Sequence, residues 1–97
     1  MSHFNALDPL LHSQLRLVVI SILISVDFAE LTYLKEKTKA TSGNLSVQLD
    51  KLEKAGYIRI WKSFRGKRPL TTCSITPKGK KAFRDYVQVL KKYINPE

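Results

Sequence analysis

The sequence predicts an α+β fold that is mainly α-helical, with a three-helix core, a two-stranded hairpin and a long C-terminal helix. Apolar residues recur at helical spacing in three segments before residue 56. The period then changes to two over residues 57–75, and a last helical stripe follows. Because 97 residues is the size of one domain, residues 1–97 are expected to share a single core.

The first predicted helix covers residues 14–26, with Ser13 as its N-cap. Apolar side chains cover most of its circumference, so this helix is expected to bury two sides. Asp27 followed by Glu30 three residues later has the pattern of a capping box. The pattern predicts that a second helix begins there and continues to about residue 37.

A third helix is predicted over residues 42–55, after a short turn. Thr41 or Ser42 is its expected cap, and Gly56 lies where a left-handed residue usually ends a helix. Burial of the leucines in this helix, at positions 45, 49 and 52, leaves a polar face directed outward.

A hairpin and a last helix complete the chain. Residues 57–64 and 70–75 are rich in β-branched and aromatic side chains, and the basic segment 65–69 between them contains a turn glycine and a proline. Thr76 caps a helix predicted over residues 77–95, which has proline at its first position. The order of elements is that of a winged helix-turn-helix, in which the hairpin is the wing.

Four segments resemble the small MarR/ArsR-like winged-helix regulators, and the resemblance extends from about Leu7 to Leu90. The segments are Thr41-Ser42-Gly43-Asn44-Leu45-Ser46, the L-x-x-L-x-x-A-G-Y-I run over residues 49–58, Arg65-Gly66-Lys67-Arg68-Pro69 and Ile75-Thr76-Pro77-Lys78-Gly79. The resemblance implies a sequence-specific regulator of transcription that binds double-stranded DNA. Some relatives respond to a small-molecule effector, but nothing in these residues identifies one. The metal-sensing relatives use several Cys or His, which this chain lacks.

The third helix is expected to enter the major groove, and the wing to contact the minor groove or the DNA backbone. Asn and Gln can pair bidentately with adenine, and Val can contact a thymine methyl group. The expected DNA-binding residues are Thr41, Ser42, Gly43, Asn44, Ser46, Val47, Gln48 and Lys51 on the helix, and Arg65, Gly66, Lys67 and Arg68 on the wing. A solvated helix face and a solvated turn are the alternatives.

The distribution of charge favours a polyanionic partner. The formal net charge is +9; residues 1–50 carry four basic and five acidic side chains, whereas residues 51–97 carry thirteen and three. A field concentrated in one half attracts polyanions, although a basic surface can also serve solubility alone. A winged helix that binds a protein or RNA is the alternative function.

The first and last helices carry more apolar surface than one core needs, which predicts a symmetric homodimer. The residues expected in its interface are Leu17, Ile20 and Ile24 with Phe83, Tyr86, Val87, Leu90, Tyr93 and Ile94. The last helix, residues 77–95, would then be the dimerisation helix. The alternative is that the two helices simply cover each other within one chain.

Other classes of function are disfavoured. The acids form no recognisable pair, the available bases are His3 and His12, and no phosphate-cradling glycine loop is present, so no enzyme is expected. With a single cysteine, Cys73, no metal and no cofactor is expected. His12 is predicted to contact Ser13 locally. The longest apolar run is too short for a membrane span, and no signal peptide is recognisable, so a cytoplasmic protein is expected.

Overall fold

The computed structural model describes residues 6–95, so His3 lies outside the described part. The elements are α1 (Gln14–Ile24), β1 (Ala29–Glu30), α2 (Leu31–Thr38), α3 (Ser42–Lys54), β2 (Ile58–Arg65), β3 (Arg68–Ile75) and α4 (Pro77–Ile94). This order confirms the mainly helical winged helix-turn-helix fold.

Local sequence determines where three of the helices begin and how α3 ends. Ser13, Thr41 and Thr76 each accept a hydrogen bond from the amide three residues later, so all three are N-caps as predicted. Gly56 follows α3 with φ +79°. The amide of Tyr57 donates to the carbonyl of Leu52 at 3.0 Å. A bond spanning five residues beside a left-handed glycine is a Schellman motif, which ends α3 and begins the wing.

The sheet has three strands among the described residues, with order β1-β3-β2, where the sequence predicted two. The capping box predicted at Asp27 is wrong, because Ala29 and Glu30 pair antiparallel with β3 instead. Helix α2 therefore begins at Leu31, and Glu30 occupies its N-cap position without a side-chain hydrogen bond. Backbone pairing with β3 and the burial of Ala29 outweigh a local cap at Asp27.

The wing is longer than predicted because β2 and β3 pair almost to the tip. Arg65 pairs with Arg68 across the two-residue turn, and Gly66 adopts φ +65°. Since the pair that closes such a turn is hydrogen-bonded, the next pair, Phe64 with Pro69, is not. The missing amide of Pro69 therefore faces the open edge of β3, where β1 no longer pairs.

One core joins the helices, the sheet and the segment before α1. Its buried apolar residues are Leu11, Val19, Ile20, Leu23, Ala29, Leu34, Leu45, Leu49, Leu52, Ile58, Cys73 and Tyr86. Burial, with a smaller contribution from the carboxylate of Glu53, raises the pKa of the Cys73 thiol to about 11. A fully buried thiol with so high a pKa behaves as a small apolar side chain rather than a nucleophile.

Two residues expected at a dimer interface lie in this core instead. The side chain of Ile20 is 0% exposed and that of Tyr86 is 4% exposed, so their assignment to an interface between chains is wrong. Helix α1 contacts α2, α3, α4 and β3, and these elements of its own chain cover most of its circumference. The hydroxyl of Tyr86 lies 3.0 Å from Nδ1 of His12, so the expected local contact of His12 with Ser13 is replaced by a long-range one.

Among the four glycines, Gly79 has the closest neighbouring backbone. A Cβ atom there would lie 2.1 Å from the carbonyl oxygen of Tyr57 and 2.9 Å from Cγ1 of Ile75. The adjoining Thr76 donates through its hydroxyl to the carbonyl of Gly56 at 2.6 Å. The first turn of α4 therefore packs directly on the backbone at the start of β2.

Gly79→Ala is expected to lower the free energy of unfolding by about 1–3 kcal/mol, because backbone must move to admit a methyl group. Gly43→Ala is the matched control, since nothing lies within 4 Å of a Cβ at that helical position. There alanine should raise stability by up to about 1 kcal/mol through its helix propensity. Urea unfolding followed by circular dichroism measures both. Equal effects of the two substitutions would contradict the packing argument.

Candidate nucleic-acid interface

Helix α3 turns one face to the core and the other to solvent. Leu45, Leu49 and Leu52 are buried. The predicted recognition residues Thr41, Ser42, Gly43, Asn44, Ser46, Val47 and Lys51 are exposed, and Gln48 is half-buried. Val47 is an apolar side chain with 51% exposure on this otherwise polar face. The face therefore offers donors, acceptors and one methyl-rich contact to an external partner.

A hydrogen-bonded chain orients the polar side chains of α3. Nη1 of Arg16, on α1, donates to Oε1 of Gln48, and Nε2 of Gln48 donates to Oδ1 of Asn44 at 3.0 Å. Arg16 is itself held, because its Nε donates to the carbonyl of Leu10 at 2.6 Å. Arg16 was not among the predicted site residues, although an arginine within an apolar helix was the available signal. The network makes α1 part of the support for the α3 face.

The first turn of α3 is open to a close backbone approach. The amides of a first helical turn have no acceptor within the helix, and the helix dipole favours an anion there. In α3 this turn is exposed, and the space beside Gly43 is empty for at least 4 Å. A phosphate group can therefore approach the backbone at this point without a steric barrier.

The tip of the wing is basic and exposed at Arg65, Gly66, Lys67 and Arg68. Nη2 of Arg65 donates to Oε2 of Glu30, on β1, at 2.8 Å. An ion pair with one partner 70% exposed contributes little to stability, but it does fix the direction of the guanidinium. Of the predicted wing contacts, Arg65 thus has a partner in its own chain.

Two aromatic residues of the wing are exposed. Trp61 is 39% exposed and Phe64 is 73% exposed. Both are exposed because only the base of the hairpin reaches the core. The guanidinium of Arg59 lies 6.0 Å from the centre of the Trp61 ring, a cation–π distance. The wing therefore combines cationic and apolar surface.

A partly buried contact also supports the base of the wing. The hydroxyl of Tyr57 donates to Oδ2 of Asp8 at 2.6 Å. Burial, followed by the hydrogen bond and the charge of Asp8, raises the pKa of Tyr57 to about 12. The hydroxyl consequently keeps its proton at neutral pH and holds the segment before α1 against the start of β2.

Two further features are absent from the part of the chain that the structure describes. Across residues 6–95, no group of three His, Cys, Asp or Glu side chains is placed to hold a metal ion. No helix within that range is long and apolar enough to cross a membrane.

A polar, outward helix after a helix and a turn, followed by a basic hairpin, defines a DNA-binding protein of the winged-helix class. The chain belongs to the winged helix DNA-binding domain family, whose model matches residues 15–94. It is 38% identical over 76 residues to the uncharacterised protein MJ0432 of Methanocaldococcus jannaschii. That match covers 78% of this chain and 83% of the relative.

The structure is similar to those of transcriptional regulators. A transcriptional regulator homologue from Pyrococcus horikoshii superposes with a TM-score of 0.83 and 25% identity, over 90% of this chain and 86% of that one. A MarR-family regulator from Silicibacter pomeroyi has a TM-score of 0.66 and 20% identity, over 90% and 57%. The MarR-like resemblance is confirmed at the level of the fold. The matched family is one of DNA-binding domains, and both structures are of transcriptional regulators or their homologues.

Proposed function

We propose that this chain is a cytoplasmic, sequence-specific transcription regulator that binds duplex DNA as a homodimer. One observation carries the proposal: α3 has an exposed polar face and the wing has an exposed basic tip, in a chain whose residues 51–97 carry thirteen basic side chains. The family and the regulator from Pyrococcus horikoshii support the DNA-binding part.

Helix α3 reads base edges in the major groove. Asn44, oriented by Gln48, offers the amide group that pairs with adenine, and Val47 offers methyl groups to thymine. Because Arg16 anchors Gln48, part of the rotamer entropy of this face is already lost before DNA binds. Preorganisation of this kind favours discrimination between base pairs over non-specific contact.

The wing contributes charge at the neighbouring backbone or minor groove. Lys67 and Arg68 occupy the turn and the strand end beside it, where they are exposed. Arginine in a narrow minor groove gains from the enhanced negative potential there, and lysine contacts phosphates. Arg65 can join them only by leaving Glu30 or by bridging the carboxylate and a phosphate.

The proposed dimer interface lies on the C-terminal turns of α4. Its stripe continues for about two turns past Tyr86 through Val87 and Leu90, which are half-buried, to Tyr93 and Ile94, which are exposed. Ile94 is 74% exposed. The expected interface residues Leu17 and Phe83 are half-buried and Ile24 is 38% exposed, so they retain some surface for a partner. Two-fold pairing is the commonest way to cover such a stripe.

Duplex DNA binding should be strongly electrostatic. Selection from a random duplex library, followed by titration of the selected sequence, should show affinity falling with a log–log salt slope of about −0.9 per phosphate contacted. Six or more contacts would lower affinity about 10³-fold between 50 and 200 mM salt. No enriched sequence, or tighter binding to duplex RNA of the same sequence, would contradict the proposed function.

Substitutions in α3 and in the wing should change DNA binding in different ways. Asn44→Ala should relax preference at one base pair per half-site by about 1–3 kcal/mol, because a base-edge contact is lost. Lys67→Ala should weaken binding to all sequences alike and reduce the salt slope by about one per wing. Lys92→Ala removes the same charge near the end of α4 and serves as the control, with an unchanged slope. Identical profiles for Asn44→Ala and Lys67→Ala would reject the division.

Ile94→Asp should convert the dimer to a monomer in sedimentation equilibrium at micromolar protein, because a carboxylate in an apolar interface lacks a partner. Phe64→Asp is the matched control, since Phe64 is 73% exposed on the wing, outside the proposed interface on α4, and should leave the dimer intact. Ile20→Asp and Tyr86→Asp are unsuitable, because both would disrupt the core. A monomeric wild-type chain would reject the dimer.

A further inference from the structure

A cleft of about 600 Å³ opens beside β1, between the α1–β1 connection and the first turns of α2. Its volume falls within the roughly 300–1,000 Å³ typical of small-molecule sites. Two aromatic rings form its walls, Phe28 with 61% exposure and Tyr33 with 43%. Neither ring belongs to the polar face of α3, to the wing tip or to the α4 stripe.

The charge of this cleft is opposite to that of the molecule. Glu30 and Glu36 line it, and the lining residues in the described part of the chain include no lysine or arginine, although the net charge is +9. The ring of Tyr33 already has a cation near it, since Nζ of Lys37 lies 5.6 Å from its centre. The rings and carboxylates therefore favour the same class of ligand, a cation with apolar surface.

We propose that this cleft binds a small organic cation that carries aromatic or alkyl groups. The rings of Phe28 and Tyr33 cover its apolar part, and the carboxylates of Glu30 and Glu36 neutralise its charge. A simple metal ion does not fit this site as well, because two of its walls are aromatic. An organic anion would meet two carboxylates and no basic residue of the lining.

Occupancy of the cleft is coupled to the wing through Glu30. The carboxylate that lines the cleft also accepts the hydrogen bond from Arg65 at 2.8 Å. A cation paired with Glu30 competes with Arg65 and frees that guanidinium for phosphate. This consequence rests on the proposed function: the cation should tighten DNA binding, and DNA should tighten cation binding by the same factor.

Isothermal titration of the full chain with tetraphenylphosphonium tests the site without DNA. One saturable site is expected, and Phe28→Ala and Glu36→Gln should each weaken binding at least tenfold. Phe64→Ala and Glu53→Gln are the matched controls, an exposed aromatic and an exposed acid outside the cleft, and should leave the affinity unchanged. Circular dichroism verifies that every variant is folded.

Separate titration with tetraphenylborate, which has the same shape and the opposite charge, tests the role of the carboxylates. Any binding of this anion should be insensitive to Phe28→Ala and Glu36→Gln. Absence of saturable phosphonium binding, or equal weakening by the control variants, overturns the site. If the chain binds duplex DNA but not the phosphonium, the proposed function stands and only the cleft proposal is overturned. If the chain binds the phosphonium but not DNA, the proposed function and the coupling are overturned and the site stands.

Discussion

The contact between the first turn of α4 and the start of β2 determines how α3, the wing and α4 are oriented relative to one another. At this junction the end of α3, the entry to the wing and the first turn of α4 meet within a few residues, because Gly79 lets two backbones touch near Tyr57. The hydroxyl of Thr76 bonds the carbonyl of Gly56 and also caps α4, so one side chain joins both helices. The angle of α3 to the hairpin, and of α4 to both, therefore follows from contacts that leave little room for adjustment.

A second constraint connects α1 to the polar face of α3. Arginine in a mostly apolar helix is costly unless its donors are satisfied, and Arg16 meets this condition by bonding the carbonyl of Leu10 and the side chain of Gln48. The charge thus stabilises the packing of α1 while it directs Gln48 toward Asn44. A change at the first helix can consequently alter the orientation of the side chains on the polar face of α3.

The features that the sequence predicted correctly depend on neighbours in the chain. The caps at Ser13 and Thr41 and the left-handed Gly56 are satisfied within a few residues, so short-range patterns find them. Strand β1 was missed because its stability comes from β3, more than forty residues away in the chain. The need for glycine at position 79 was missed for the same reason, since the atom that excludes a side chain belongs to Tyr57.

The assignment of apolar residues to core or surface also depends on residues that are distant in the chain. The apolar stripe of a helix does not indicate whether the same chain or a partner chain covers it. Ile20 was therefore assigned to a partner chain, although its own chain buries it completely. The structure leaves apolar side chains exposed at several separate places, among them Ile94 at the end of α4, Phe64 near the wing tip and Phe28 in the acidic cleft. Helix α4 extends roughly 12 Å past Tyr86, so Ile94 lies well beyond the first turn that packs on the start of β2. The proposed contacts with a second chain, with DNA and with a cation therefore use different residues, except at Glu30, where the cleft and the wing share a carboxylate.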